Sequence, residues 1–337
     1  MEQGRVKVLE DCAALVRRGL CHVEDGWSLP RLCGGMAGRG ERWRMVLFVL
    51  TLAIVGWPVL AVEVRDDRGV LVDVPHPPVR IVSLLPALTE TVCALGACHR
   101  LVAVDQDSNF PESARTLQRV GNGRFPDPEA IVGQRPDLVL VSPVALVANR
   151  LETLGLRVLA FDPQTHRDVH RVLQVLGSVL GVPHAERVWA AMQSAVRDAK
   201  NALPEWKRPQ RVYLEVDPSG FAAGEASFIG ETLTLLGVDN IVPAKLGAFP
   251  KLNPEYVLRA DPDVLILGYR SLGNLGDRPG WRRMRAVGKN RVCTLTGEDL
   301  DVVVRPGPRL GEGAQVLARC LLRHTAGGEG QGSLGSP

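Results

Sequence analysis

The chain has 337 residues, 45% of them hydrophobic and only 5% aromatic, with 40 basic and 37 acidic side chains giving a net charge of +3. Eight basic and six acidic residues fall before Met45, so the remainder is nearly neutral, at 32 against 31. This balance argues against nucleic acid or a polyanionic surface as partner. The few aromatics argue against a carbohydrate binder, and the length suffices for two ordinary domains.

Residues 1–35 carry no export-like pattern and read as a misassigned start, with Met36 or Met45 as initiator. Residues 36–61 read as a signal peptide: Arg39, Arg42 and Arg44 precede the apolar run Val46–Trp57, and Pro58-Val59-Leu60-Ala61 with its small-residue Val-x-Ala end follows. That run is shorter than the roughly 20 residues of a membrane span. A short transmembrane anchor is the alternative. No Leu-x-x-Cys lipobox follows the apolar run, which favours a soluble exported product. Cys12, Cys21 and Cys33 precede this segment, and Cys93, Cys98, Cys293 and Cys320 follow it. Their spacings match no zinc pattern. Cys93 reads as a buried thiol; disulfides suit an oxidising compartment, but spacing leaves the pairing open.

From Val62 onward, a short strand pair leads into Arg80–Leu85, a buried strand, with Pro86 opening a helix that Gly96 ends. Leu101–Val104, Leu138–Val141 and Val158–Phe161 continue the strand–helix alternation. A second series, Val212–Val216, Val264–Leu267 and Val292–Leu295, follows Pro204, with helices near Ile229–Leu236 and Glu255–Ala260. The last helix runs over Gly311–Arg323. Such alternation predicts parallel sheets flanked by helices.

The two series share a segment. Pro128-Glu129 to Pro136-Asp137 with Leu138–Val141, and Pro254-Glu255 to Pro262-Asp263 with Val264–Leu267, follow one pattern. Each predicts a short helix capped by Asp127 or Asn253, then a turn and a buried strand. Between the series, residues 184–203 place Ala185, Val188, Trp189, Met192, Val196 and Ala199 at helical spacing, about 30 Å of helix. The expected fold is two Rossmann-like α/β lobes, 62–183 and 204–325, joined by one long rigid helix at 184–203. A ligand cleft would lie between them, and residues 326–337 would form a disordered tail.

No Gly-x-Ser-x-Gly, P-loop, Gly-x-Gly-x-x-Gly or His-Glu-x-x-His occurs. Neither a catalytic residue nor a metal site is expected. His166 and His170, four apart, read as a solvated face rather than metal ligands, and Arg305–Arg309 reads as a rigid lead-in to the last helix.

With these residues in view, the chain resembles the iron-chelate and vitamin B12 class of periplasmic binding proteins. The likeness rests on Arg80-Ile-Val-Ser-Leu-Leu-Pro-Ala-Leu-Thr-Glu90, Leu95-Gly96, Val102–Val104, Arg135–Val139, Leu154-Gly155 and Pro254–Leu267, and covers about Val62 to Arg323. It implies a periplasmic monomer that needs no cofactor and is not an enzyme. Such a protein would deliver a corrinoid to an ABC permease and its ATPase. It further implies docking through Glu129 and Glu255, one on each lobe.

The same resemblance implies ligand contacts from Phe221, Phe249 and Arg305, beside Gly224 and Glu225. In the first lobe, the corresponding positions are Asp107, Asn122, Arg124 and Ser142. Asp107, Gly123 and Ser142 stand where a corrinoid binder often shows aromatics, and Gly121–Arg124 lacks the tyrosine of haem-binding relatives. Arg124, Lys251, Arg270 and Arg305 would suit a ferric siderophore, so siderophore or haem is the alternative ligand. More distant alternatives are a metal-cluster enzyme, which needs cysteines better spaced than Cys93, Cys98 and Cys293, and a membrane-tethered sensor retaining residues 46–57.

Overall fold

The computed structural model describes residues 62–268, 275 and 278–325. The expected leader, signal peptide and tail, and Arg270, lie outside the described residues. A hairpin of β1 (Val62–Arg65) and β2 (Leu71–Val74) comes first. Then follow β3 (Ile81–Ser83), α1 (Pro86–Ala94), β4 (Leu101–Val104), α2 (Glu112–Arg115), β5 (Gln118–Arg119), α3 (Pro128–Gly133), β6 (Leu138–Val141), α4 (Ala148–Thr153) and β7 (Val158–Ala160). These strands form a parallel sheet of order β5-β4-β3-β6-β7.

Two long helices follow, α5 (His166–Leu180) and α6 (Ala185–Asn201). The second half contains β8 (Arg211–Glu215), α7 (Phe228–Leu235), β9 (Asp239–Asn240), α8 (Pro254–Ala260), β10 (Val264–Leu267), α9 (Arg285–Gly288), β11 (Val292–Thr294), α10 (Glu298–Val304) and α11 (Leu310–Thr325). Its strands form a separate parallel sheet of order β11-β10-β8-β9. There are thus two α/β lobes. β6 and β10, at interior positions with helices on both faces, are buried at every residue, which is why their sequences are unbroken apolar runs.

The duplicated segment does the same work in each lobe. Asp127 accepts a hydrogen bond from the Ala130 N–H, and Asn253 from the Glu255 N–H, capping α3 and α8. The residue before each Pro-Asp takes a left-handed backbone: Arg135 at φ 49° and Asp261 at φ 43°. The aspartate after that proline then binds the first strand of its sheet. Asp137 accepts from the Arg80 N–H at 3.0 Å, and Asp263 from the Arg211 N–H at 3.0 Å.

α6 is the expected long helix between the lobes, and α5 packs beside it. α5 starts in a capping box, with Thr165 accepting from the Asp168 N–H and Asp168 from the Thr165 N–H. Its first residue docks on α7 of the second lobe. The His166 N–H donates to Glu231 at 2.6 Å, and its ring Nε2 lies 3.1 Å from the Phe228 carbonyl and 2.9 Å from the Thr232 hydroxyl. The far end of α5 is in the first lobe, where Arg100 donates to the Leu180 carbonyl. α6 then runs back, stacking Trp189 on His170 at 4.6 Å, until Lys200 donates to the Leu236 carbonyl.

α6 therefore joins the lobes, with α5 antiparallel beside it and α11 packed on it. His166 is accordingly not part of a solvated face, and burial pushes its imidazole pKa down from the ordinary 6.5.

One apolar core passes from β3 and α1 through Met192, Val196 and Ala199 of α6 to β8, β10 and α11. Each sheet also covers its other face with a cluster of its own, around Ile131 and Leu151 in the first lobe and Tyr213 and Trp281 in the second. Cys93 is bonded to Cys98, and Cys293 to Cys320, so Cys93 is half of a disulfide rather than a buried thiol.

Candidate functional site

In a parallel sheet, every strand ends on the same edge, and ligands of α/β folds collect outside those carboxyl ends. Among the described residues, hydrogen bonds link the two lobes beyond these edges at two places. After β4, Asn109 donates to Asp301 of α10 at 2.8 Å. After β7, the Gln164 carbonyl accepts from the Phe228 N–H at 2.6 Å. The loops between these contacts, Gly121–Asp127 and Ser142–Val147 on one lobe and Val216–Ser227 and Ile241–Asn253 on the other, frame the candidate cleft.

The first-lobe loops are held firmly. Thr89 bridges Ser83 at 2.9 Å and Ser108 at 2.8 Å, Ser108 donates to Asp105, and Arg119 donates to the Asp105 and Ser108 carbonyls at 2.7 Å each. Asp107 itself is exposed. Asn122 folds its loop by accepting from the Arg124 and Phe125 N–H groups. Gly123 crosses the end of β3 so closely that a Cβ there would lie 2.9 Å from the Leu84 carbonyl. Arg124 is exposed and Ser142 is half-buried.

Three large apolar side chains on these loops stand in water: Phe125 at 72%, Val144 at 81% and Leu146 at 89% exposure. Apolar side chains exposed together are a feature of binding surfaces, which makes these three candidates for one. The sequence pattern pointed to Arg124 but not to Phe125, one residue further on. Val144 and Leu146 sit in an unbroken apolar run whose alternate members, Ala145 and Val147, are buried. Apolar composition could not separate the two faces.

On the second lobe, Phe221 is 38% exposed, pairs in a bridge with Lys251, and has the Lys251 ammonium 6.0 Å from its ring. Phe249 is half-buried and packs against Phe228 at 5.9 Å. Gly224 lets two loops touch: its N–H donates to the Ala248 carbonyl, and a Cβ would lie 2.3 Å from the Gly247 carbonyl. Glu225 accepts from the Ala244 N–H, fixing the turn that carries Leu246. Beneath these loops, Arg278 forks onto buried Glu215 with two 2.7 Å bonds, and Tyr213 donates to the same carboxylate. Burial, then the neighbouring Glu215 charge, drives the Tyr213 phenol far above its ordinary range, so it stays a neutral donor.

Arg305 departs from its expected role. Its guanidinium is buried and meets Glu90 and Asn109 at 2.8 Å, Asp301 at 2.9 Å and the Asp107 carbonyl at 3.1 Å. It joins the lobes to each other and does not stand open in the cleft.

Glu129 and Glu255 lie in the first turns of α3 and α8 and both are exposed. The Glu129 side chain, 74% exposed, is ion-paired at 2.6 Å with Arg150, itself 62% exposed. Among the described residues, no group of three His, Cys, Asp or Glu is placed to hold a metal ion.

A family model described as periplasmic binding protein matches residues 81–298. An uncharacterized ABC transporter substrate-binding lipoprotein of Bacillus subtilis is 27% identical over 280 residues, spanning 79% of this chain and 87% of that protein. A cobalamin-binding protein of Halobacterium salinarum is 30% identical over 261 residues, 73% of this chain and 70% of that one. The crystal structure of a periplasmic heme binding protein from Pseudomonas aeruginosa superposes with a TM-score of 0.63 at 26% identity, covering 75% of this chain and 94% of that one. With two parallel-sheet lobes meeting at their strand ends and most of its length matched, the chain belongs to the periplasmic binding protein family.

Proposed function

We propose that this chain is the substrate-binding component of an ABC importer, and that its cargo is a corrinoid such as cobalamin or cobinamide. The carrying observation is exposed apolar side chains on the strand-end loops of both lobes, Phe125, Val144 and Leu146 on one and Phe221 and Leu246, beside half-buried Phe249, on the other. A broad macrocycle with apolar faces and a polar edge matches such a rim. Lys251 and Arg124 stand ready for its amide or phosphate oxygens.

A corrinoid arrives with its metal already ligated. The four loops named above offer no His, Tyr, Cys or Met as an iron ligand, and Tyr269, which follows β10 in the sequence, lies outside the described residues. The haem reading is kept by the Pseudomonas aeruginosa likeness, and a ferric siderophore by the two exposed cations.

In this reading Glu129 and Glu255 seat the two lobes on arginines of the permease, Arg150 giving up its partner on contact. The fold supports it by placing equivalent carboxylates at equivalent helix starts, where the helix dipole favours them. Export by a cleaved signal peptide at 36–61 and a monomeric state complete the proposal. The test is gel filtration of the purified protein with cyanocobalamin. Corrin absorbance travelling with the protein supports the reading, and a colourless protein peak contradicts it.

A further inference from the structure

Arg305 and Arg309 leave the second lobe on either side of Gly307, which itself packs on Ala87 of α1. Arg305 has acceptors on both sides of the lobe boundary. Glu90, Asn109 and the Asp107 carbonyl belong to the first lobe, and Asp301 to the second. Asn109 closes the ring by donating to Asp301. Arg309 stacks 3.9 Å over Phe110 of the first lobe and lies 3.8 Å from Glu90, while Glu298 and Glu312 hold its other edges at 2.9 Å.

Glu90, Arg305 and Arg309 are 2%, 9% and 5% exposed. Buried charges of this kind are held by their partners, and parting the lobes takes both guanidinium groups from Glu90, leaving Arg305 with Asp301 and Arg309 with Glu298 and Glu312. Nothing in capturing a ligand uses this network. Its members sit beside the cleft, at the Asn109 end of the interlobe contact, rather than on its rim.

We propose that Glu90, Arg305 and Asn109, backed by Arg309, are positioning residues forming an interlobe lock that sets the width of the cleft. The lock holds the two rims at the separation that fits cargo before any cargo arrives. Delivery then requires the lock to part. The effect on binding rests on the cleft reading given above, whereas the effect on lobe separation does not.

The test compares the full-length protein with Glu90→Gln, Arg305→Lys and the double variant Glu90→Gln/Arg305→Gln, each by small-angle scattering without ligand and by calorimetry with cyanocobalamin. The lock predicts a larger radius of gyration for the unliganded Glu90→Gln and double variants. Arg305→Lys, which keeps the Glu90 pair, should stay near the parent value. If one molecule in ten keeps the binding separation, affinity falls about tenfold and saturating ligand restores the parent dimensions.

Unchanged scattering in folded Glu90→Gln and in the double variant overturns the lock. Should Glu90→Gln fail to fold, the double variant, which strands no lone charge between the pair, decides alone. The scattering comparison needs no ligand, so its outcome is independent of whether a corrinoid binds.

Discussion

Replacing Phe125 with Ala probes the rim with little disturbance to the fold. The ring is 72% exposed, and a phenylalanine side chain offers roughly 200 Å², leaving about 140 Å² in water. If a corrin face covers half of that, ~70 Å² of apolar area leaves water on binding, which at about 25 cal/mol per Å² is about 1.8 kcal/mol. The variant should therefore bind cyanocobalamin about 20-fold more weakly. Its thermal midpoint should barely move, because substitutions in solvent usually stay within about 0.5 kcal/mol. Isothermal calorimetry on parent and variant, with calorimetric melting of each, gives both numbers. A parent that binds and a variant with the same dissociation constant would remove Phe125 from the site and deprive the rim argument of its first-lobe half.

Other expectations follow from the same geometry. Glu129→Ala with Glu255→Ala should leave cyanocobalamin affinity intact and abolish uptake by vesicles carrying the cognate permease; weakened affinity would assign these residues to the cargo instead. His166 has its folded pKa below the ordinary 6.5, so between those values the unfolded chain binds the extra proton and stability must fall as pH drops below about 6.5. Urea titrations from pH 7.5 down to 5 should show that loss, and His166→Gln should flatten it; an equally steep loss in the variant would place its origin elsewhere. Cys293 and Cys320 close a 27-residue separation, for which chain entropy gives about 3.5 kcal/mol. Cys293→Ala/Cys320→Ala should lower the urea midpoint accordingly, and an unchanged midpoint would show that the bond adds no stability.

The parts of this molecule that were legible in sequence are those where local chemistry and global fold agree. The Pro-Glu to Pro-Asp segment appears twice because capping by Asp127 and Asn253, the turn, and the strand anchoring by Asp137 and Asp263 are all encoded within eleven residues. The buried strands β6 and β10 announced themselves as apolar runs. By contrast, β5 and β9 are two residues long and carry no period to detect.

At the site, local turn residues such as Asn122 and Gly224 were found, but long-range partners were not. Arg305 looked like a cleft cation because nothing in its neighbours reveals that Glu90, 215 positions earlier, claims it. His166 looked solvated for the same reason, its partners on α7 lying more than sixty residues away. Sequence pattern reports which side chains are apolar or charged. It does not report which surface they meet.

A single calorimetric series with cyanocobalamin, haem and a ferric siderophore tests the central claim most directly. The account predicts one-to-one binding of cyanocobalamin, tighter than either iron compound. Tighter binding of haem or siderophore, or heat from none of the three, would contradict it.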